Sequence, residues 1–225
     1  NLHKRFGERE VLRGVSLHWF EVLWQGIGTV DIGGAFRRSL ALGSVVMLFT
    51  VTMSLLAGLA FRKKLPGGSV LFYVACLIMP SIIVSLGIGL MFRLLDTGLK
   101  AWLEANLPSL AEAYTSALGT YTSGLGAQLT WTLPFGLLIM FAVFNRFNAA
   151  YEEAARDLGA TPWQTLRHVV LPLIGPSLVG IAMFGFTLSW DEIARSSQAM
   201  GDLNTLPLEL QGLTTTVTTP VIYAL

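Results

Sequence analysis

An all-α, polytopic bundle of membrane-spanning helices is the fold class this sequence predicts, and three observations predict it. The composition is apolar, with 53% hydrophobic and 13% charged residues and a mean hydropathy of +0.61, whereas soluble domains carry about 25% charge. Four uncharged runs approach the ~20 residues that a helix needs to cross a bilayer core of ~30 Å. One polar, charged insert lies between two of those runs and has to meet something outside the bilayer.

The runs come in order. Ser39–Phe61 is bracketed by Arg37-Arg38 and Arg62-Lys63-Lys64. Ser69–Phe92 contains Pro80, Gly87 and Gly89, which predict a kinked or closely packed helix. Leu125–Phe144 has Gln128, Thr130, Thr132 and Pro134 in its first half, and Leu173–Trp190 is a slightly short span ending at Asp191-Glu192. A buried soluble helix accounts for one such run, but not for four in 225 residues. Between them, Arg62–Gly68 reads as a short basic turn. Asp96–Gly124 reads as an exposed lid or loop with an amphipathic stretch at Leu99, Trp102, Leu103 and Leu107. Asn145–Pro172 is the charged insert, and Arg195–Leu225 is polar and threonine-rich over Thr214–Pro220. The chain starts at Asn1 and stops at Leu225 without a closing helix, and is expected to be a piece of a longer protein.

Several function classes are excluded. The net charge is +1 and no dense basic cluster offers a nucleic-acid face. The single cysteine, Cys76, rules out an intrachain disulfide, and His3, His18 and His168 lack metal-ligand spacing. No Gly-x-x-x-x-Gly-Lys-Ser/Thr phosphate loop occurs and no nucleophile–base pair is visible, so neither a cofactor nor catalysis is expected. An intramembrane enzyme needs paired catalytic groups at membrane depth, and the four runs contain no Asp, Glu, His, Lys or Arg.

The insert carries the chemistry. Tyr151–Asp157 is rich in good helix formers, namely Glu152, Glu153, Ala154, Ala155 and Arg156. Gly159 permits a left-handed backbone at the end of that helix. Thr161-Pro162 supplies an N-cap and a first-turn proline for a second short helix over Pro162–Val170, after which Pro172 begins the next membrane helix. Helix, glycine turn and helix make a compact docking knob. Small Ala154 and Ala155 admit a close partner, Glu153 can meet a basic residue or cap a helix there, and Trp163 is an apolar anchor of the kind that carries interface energy.

Glu153-Ala154-Ala155, then Gly159, then after nine intervening residues Val169-Val170-Leu171-Pro172, resembles the signature loop of ABC importer permeases. Other pieces resemble the spermidine/putrescine-type subunits of that family: Gly14–Phe20, Asp157-Leu158-Gly159-Ala160, Phe186–Glu192 and Leu206-Pro207-Leu208. The resemblance covers nearly the whole chain and implies the type I permease fold, with helices two to five of a six-helix subunit present. It departs from the type in the length of Asp96–Gly124. Lys4–Gly7 with Val11–Leu17 also looks like the opening strands of an ABC ATPase, but a membrane run follows where the phosphate loop belongs, so that likeness is set aside.

The resemblance implies a multi-pass protein of the bacterial inner membrane that hydrolyses no ATP itself. Its implied partners are an ABC ATPase subunit dimer, a second and distinct permease subunit, a periplasmic substrate-binding protein and membrane lipid. The ATPase would dock through Glu152, Glu153, Ala154, Ala155, Asp157, Gly159, Ala160, Trp163, Leu171 and Pro172. The favoured cargo is a polyamine, ahead of other small organic solutes. A cytoplasmic signature loop puts six of the Lys and Arg residues inside and nine outside, against the positive-inside rule. The resemblance overrides that count, on the expectation that the charges flanking a missing first helix dominate insertion.

A solute pathway has candidates at the other end. Asp191 and Glu192 either attract a cationic solute or mark the membrane–water boundary. Trp190 and Trp131 either stack on an alkyl ammonium or sit at the interface as aromatic anchors. Gln128, with Thr130 and Thr132, either lines the pathway or bonds helix to helix.

Overall fold

The computed structural model describes residues 31–61, 74–75, 77–201 and 203–216, and within them every regular element is a helix, with no strand. The long helices are α1 (Ile32–Phe61), α2 (Ser81–Asn106), α4 (Leu125–Arg146) and α7 (Leu171–Trp190). Shorter ones are α3 (Pro108–Ala113), α5 (Ala150–Asp157), α6 (Pro162–Thr165), α8 (Ala194–Ala199) and α9 (Leu206–Thr216). Four helical stretches are long and apolar enough to cross a membrane: Ile32–Phe61, Ser81–Asn106, Thr120–Arg146 and Pro162–Trp190. The readings at Lys4–Leu17, Gly14–Phe20, Arg62–Gly68 and Cys76 lie outside the described residues.

α1, α4 and α7 pack on one another to form the centre of the bundle. The buried face of α1 is made of Ala35, Ser39, Leu42, Gly43, Val46, Thr50, Ser54 and Gly58, a stripe that returns every three or four residues and is mostly small. Small residues let helices approach closely where lipid supplies no hydrophobic drive between them. One apolar core joins Met140 of α4 to Ile174 and Ile181 of α7, with Val51, Leu55 and Leu59 of α1 closing over it. Large side chains turn outward instead: Leu48, Leu56, Ile82, Ile83, Leu90, Val179 and Met183 are all exposed. In water that surface would aggregate; against lipid tails it is matched. Polar hydroxyls take the inside, where Thr50 donates to Thr132 at 2.8 Å between α1 and α4.

Three boundaries differ from expectation. α1 begins at Ile32, seven residues before Ser39, and carries Arg37 and Arg38 within it. Pro80 does more than kink the second run: with φ −57° and ψ 126° it stands extended ahead of α2, which restarts at Ser81. α2 then runs on to Asn106, so the front half of the expected lid at Asp96–Gly124 is helix. Leu103 is buried while Leu99, Trp102 and Leu107 stay exposed, so the amphipathic stretch does not present one buried side. The remainder, 114–119, is folded back onto α2, where Asp96 accepts from Tyr114 Oη (2.5 Å), Ser116 Oγ (2.5 Å) and the Ala117 N–H (2.7 Å). Donating to that carboxylate raises the Tyr114 phenol above its ordinary pKa.

The insert differs too. The expected second short helix over Pro162–Val170 does not stop before the membrane span. α6 passes through a π-helical turn, Leu166–Val170, directly into α7, giving one rod from Pro162 to Trp190. Pro172 offers no N–H to His168 and its ring crowds that carbonyl; the wide turn, closed by Leu171 N–H on the Leu166 carbonyl, comes just before it. Leu206-Pro207-Leu208 forms the first turn of α9, which lies along α1.

Candidate functional site

Two polar regions stand out, at opposite ends of the bundle. The first is the knob where α4 ends and α7 begins. Asn148 Oδ1 accepts the Ala150 N–H at 3.0 Å and starts α5, as an Asn side chain does in a turn. Glu152 is buried and pairs with Arg156 one turn on, Oε2 to Nη2 at 3.5 Å. The helix closes on Gly159 at φ +85°, with its N–H on the Arg156 carbonyl (2.8 Å) and the Ala160 N–H on the Ala155 carbonyl (3.0 Å). Those two bonds are the Schellman arrangement, which a left-handed residue at this position permits. No atom lies within 4 Å of where a Gly159 Cβ would stand, so glycine is there for its backbone alone.

The second helix is capped just as firmly. Thr161 Oγ1 accepts the Gln164 N–H while Gln164 Oε1 accepts the Thr161 N–H at 2.8 Å, a reciprocal capping box. The knob is therefore set by bonds within it, and apart from the buried Glu152 most of its side chains face outward. Glu153, Ala154 and Asp157 are exposed, and Ala155 and Ala160 half-buried. Trp163 is 65% exposed and Leu158 is 90% exposed. Leu171 is half-buried in the rod and Pro172 is exposed on it. At the base of the knob a cleft of about 530 Å³ opens between Val143, Phe147, Tyr151 and Leu173, with Arg146 in its wall.

The second region is built on 191–205, of which residues 191–201 fold back over the far end of α2 and α4. Asp191 closes α7 and stays exposed. Glu192 turns inward: Oε2 receives Arg195 Nη1 at 2.8 Å and Oε1 receives the Arg195 N–H at 3.1 Å. The Arg195 side chain is only 2% exposed, and its guanidinium carbon lies 4.9 Å from the centroid of Trp131. Gln128, fully buried one turn before Trp131, donates from Nε2 to Ser196 Oγ at 3.3 Å. Ser123 Oγ donates to the Ala199 carbonyl, and a Cβ on Gly89 of α2 would stand 2.7 Å from the Gln198 carbonyl oxygen. Arg38 of α1 donates to the Asn204 carbonyl at 2.9 Å.

That geometry separates the expected pathway residues. Asp191 and Glu192 do not act as a pair, because Glu192 is occupied by Arg195 and only Asp191 faces outward. Trp131 has a cation on its ring already. Trp190 stacks on Phe186 (5.5 Å between centroids) and meets Phe36 edge-on (5.6 Å). Gln128 and Thr132 bond across elements, whereas Thr130 is exposed and donates to Ala127 of its own helix. Among the described residues no group of three or more His, Cys, Asp or Glu side chains is placed to hold a metal.

Comparison with known proteins bears on both ends at once. The family model described as "Binding-protein-dependent transport system inner membrane component" matches residues 50–224, which takes in the knob and the segment 191–205. The chain belongs to that family. It is similar to the spermidine/putrescine transport system permease protein PotC of Haemophilus influenzae, 27% identical over 224 residues, 95% of this chain and 76% of that one. PotC of Escherichia coli K12 is 26% identical over 219 residues, covering 95% of this chain and 74% of its own. The sulfate transport system permease protein CysT of the same strain is 28% identical over 187 residues, 81% of this chain and 64% of its own. The protein is thus a membrane-embedded, multi-pass permease of binding-protein-dependent transport.

Some residues of this permease escaped the sequence reading although a signal existed. Thr161-x-x-Gln164 is a capping-box spacing, and Glu192-x-x-Arg195 is an i, i+3 charge pair at a helix start. Leu158 entered only as part of the Asp157–Ala160 resemblance, and Ser196 offered no signal. An exposed leucine and a buried serine are told apart only by what packs against them.

Proposed function

We propose that this permease is one of two membrane subunits of an ATP-driven importer, and that the loop at 152–168, which contains the knob, docks on a separate ATPase subunit. One observation carries the reading. Leu158 and Trp163 stand open on a knob whose backbone is fixed by a Schellman turn and a capping box. Large apolar side chains held rigidly in the open are the anchors that interfaces use. Glu153 and Asp157 beside them give the surface a polar rim. Closure of the ATPase dimer on ATP would push the knob, and the spans would switch from inward- to outward-facing. Solute released by a periplasmic binding protein would then cross between this subunit and its homologous partner, and leave inward after hydrolysis.

A polyamine is the cargo this reading favours, since the permeases similar over 95% of this chain are described by spermidine and putrescine, and the sulfate permease is similar over 81%. Two tests separate drive from cargo. Gly159→Pro, which removes an N–H bonded in the turn, and Glu153→Lys should each abolish uptake and ATPase co-purification while membrane insertion is unchanged. Normal uptake by both variants would end the docking assignment. Competition of unlabelled solutes against labelled spermidine, with the cognate binding protein present, reads the cargo. Displacement by sulfate but not by putrescine would overturn the polyamine.

A further inference from the structure

The cleft at the base of the knob changes character along its length. One part lies between two membrane spans and is apolar, lined by Ile139 and Val143 of α4 and by Leu173 and Ile174 of α7. The other part lies where α4 ends, and Arg146, Asn148 and Tyr151 line it there. These three side chains are exposed donors. Among the described residues the Arg146 guanidinium and the Tyr151 hydroxyl have no hydrogen-bond or ion-pair partner, and Asn148 engages its Oδ1 while its amide N–H groups stay open. No Asp or Glu among the described residues lines the cleft. Donors gathered without an acceptor are the complement of a phosphate, whose oxygens accept. Basic pockets between membrane helices hold the headgroups of anionic lipids for this reason. Tyr151, edge-on to Phe147 at 6.3 Å between centroids, is the kind of aromatic that sits at headgroup level.

We propose that this cleft binds one anionic glycerophospholipid of the surrounding leaflet, with an acyl chain between α4 and α7 and the phosphate on Arg146, Asn148 and Tyr151. The binding rests on the cleft alone, and only its assignment to the cytoplasmic leaflet rests on the proposed importer function. The volume, about 530 Å³, is that of a small-molecule site. A helix about 10 Å across would fill it with little more than one turn, which is too little to hold a partner's span. A free phosphate would meet the donors and leave the apolar part empty. A phosphatidylcholine would fill the apolar part but bring its own cation up to the guanidinium. Bound there, the anionic lipid completes the packing between α4 and α7 at the foot of the knob.

The experiment takes the permease complex purified from membranes into nanodiscs of mixed phosphatidylglycerol and phosphatidylcholine, and counts by native mass spectrometry the lipids that stay on it. Wild type should keep one phosphatidylglycerol per copy of this chain that Arg146→Gln lacks, and should bind it about tenfold more tightly than phosphatidylcholine, the scale of one charge-assisted hydrogen bond. Arg146→Lys, which keeps the charge and loses the planar fork, should be intermediate. Arg167→Gln, which removes an exposed cation outside the cleft, should match wild type. Dihexanoyl phosphatidylglycerol should compete at least about tenfold more weakly than the dioleoyl lipid, because fewer methylenes are buried, and millimolar inorganic phosphate should not compete. No excess of phosphatidylglycerol on wild type, as a partner helix over the cleft would give, overturns the site. So does equal retention by Arg146→Gln, an equal loss in Arg167→Gln, displacement by inorganic phosphate, or equal competition by the short-chain lipid. The chain-length and phosphate competitions need no variant and decide the site if Arg146→Gln does not assemble. Lipid retention is read without uptake or ATP, so loss of the lipid and loss of ATPase co-purification are separate results.

Discussion

The knob and the segment 191–205 are both short polar elements at the ends of apolar helices, yet they are held in opposite ways. The turns and caps that shape the knob join residues within five positions of each other: Asn148 to Ala150, Ala155 to Ala160, Thr161 to Gln164. The other segment is fastened by partners distant in the chain, with Gln128 to Ser196, Ser123 to Ala199 and Arg38 to Asn204. One is shaped by its own bonds and has to be carried; the other, apart from the short α8 and the Glu192–Arg195 pair, takes its place from the helices beneath it. A part that is to be gripped and pushed needs the first design. A part that is to open when those helices shift needs the second.

That contrast can be broken, and the largest break is expected at the far end. Glu192→Gln strands the buried Arg195 guanidinium, and breaking a buried pair costs about 3–5 kcal/mol; the thermal midpoint of the solubilised permease should fall by many degrees. Next comes Gly89→Ala, whose Cβ would meet the Gln198 carbonyl oxygen at 2.7 Å. Overpacking of this kind costs about 1–3 kcal/mol, and protease cleavage within 191–205 should rise before α1 and α4 separate. At the knob, Gly159→Ala meets no neighbour and suffers only the left-handed backbone, about 1–2 kcal/mol. Uptake should drop while the thermal midpoint barely moves. The smallest effect is expected from Thr161→Ala, which loses a cap worth about 1 kcal/mol; hydrogen exchange should quicken over 161–165 and nowhere in the bundle. A global loss of stability from either knob substitution would erase the distinction between the two ends.

The same contrast explains what could be read from the chain. The knob was legible because its determinants are local: Glu152 through Arg156 favour helix, Gly159 the turn, Thr161-Pro162 the restart. The α-helical bundle was legible because four uncharged runs admit few other folds. The length of α2 was not, because Arg93 ended the uncharged run and Asp96 opened the expected loop, although a carboxylate that accepts from Tyr114, Ser116 and Ala117 is at home in a helix. The Arg195 cluster was illegible for a different reason. Its members lie 68 positions apart at the Gln128–Ser196 bond, and no spacing rule reaches that far. Arg195 was counted only as one charge on the outside, while the structure removes it from solvent altogether.

The join at Leu166–Val170 has one further consequence. Because α6 enters α7 without a break, the knob's second helix and the span ending at Trp190 are one rod of 29 residues, about 43 Å at 1.5 Å per residue. Trp163 sits at one tip, and Asp191 and Glu192 follow directly on the other. A tilt of a few degrees at the first tip sweeps the second through an ångström or more, which is enough to shift Trp190 against Phe36 of α1, 5.6 Å away between ring centroids. The rod is a lever, and the π turn is the place where its angle is set.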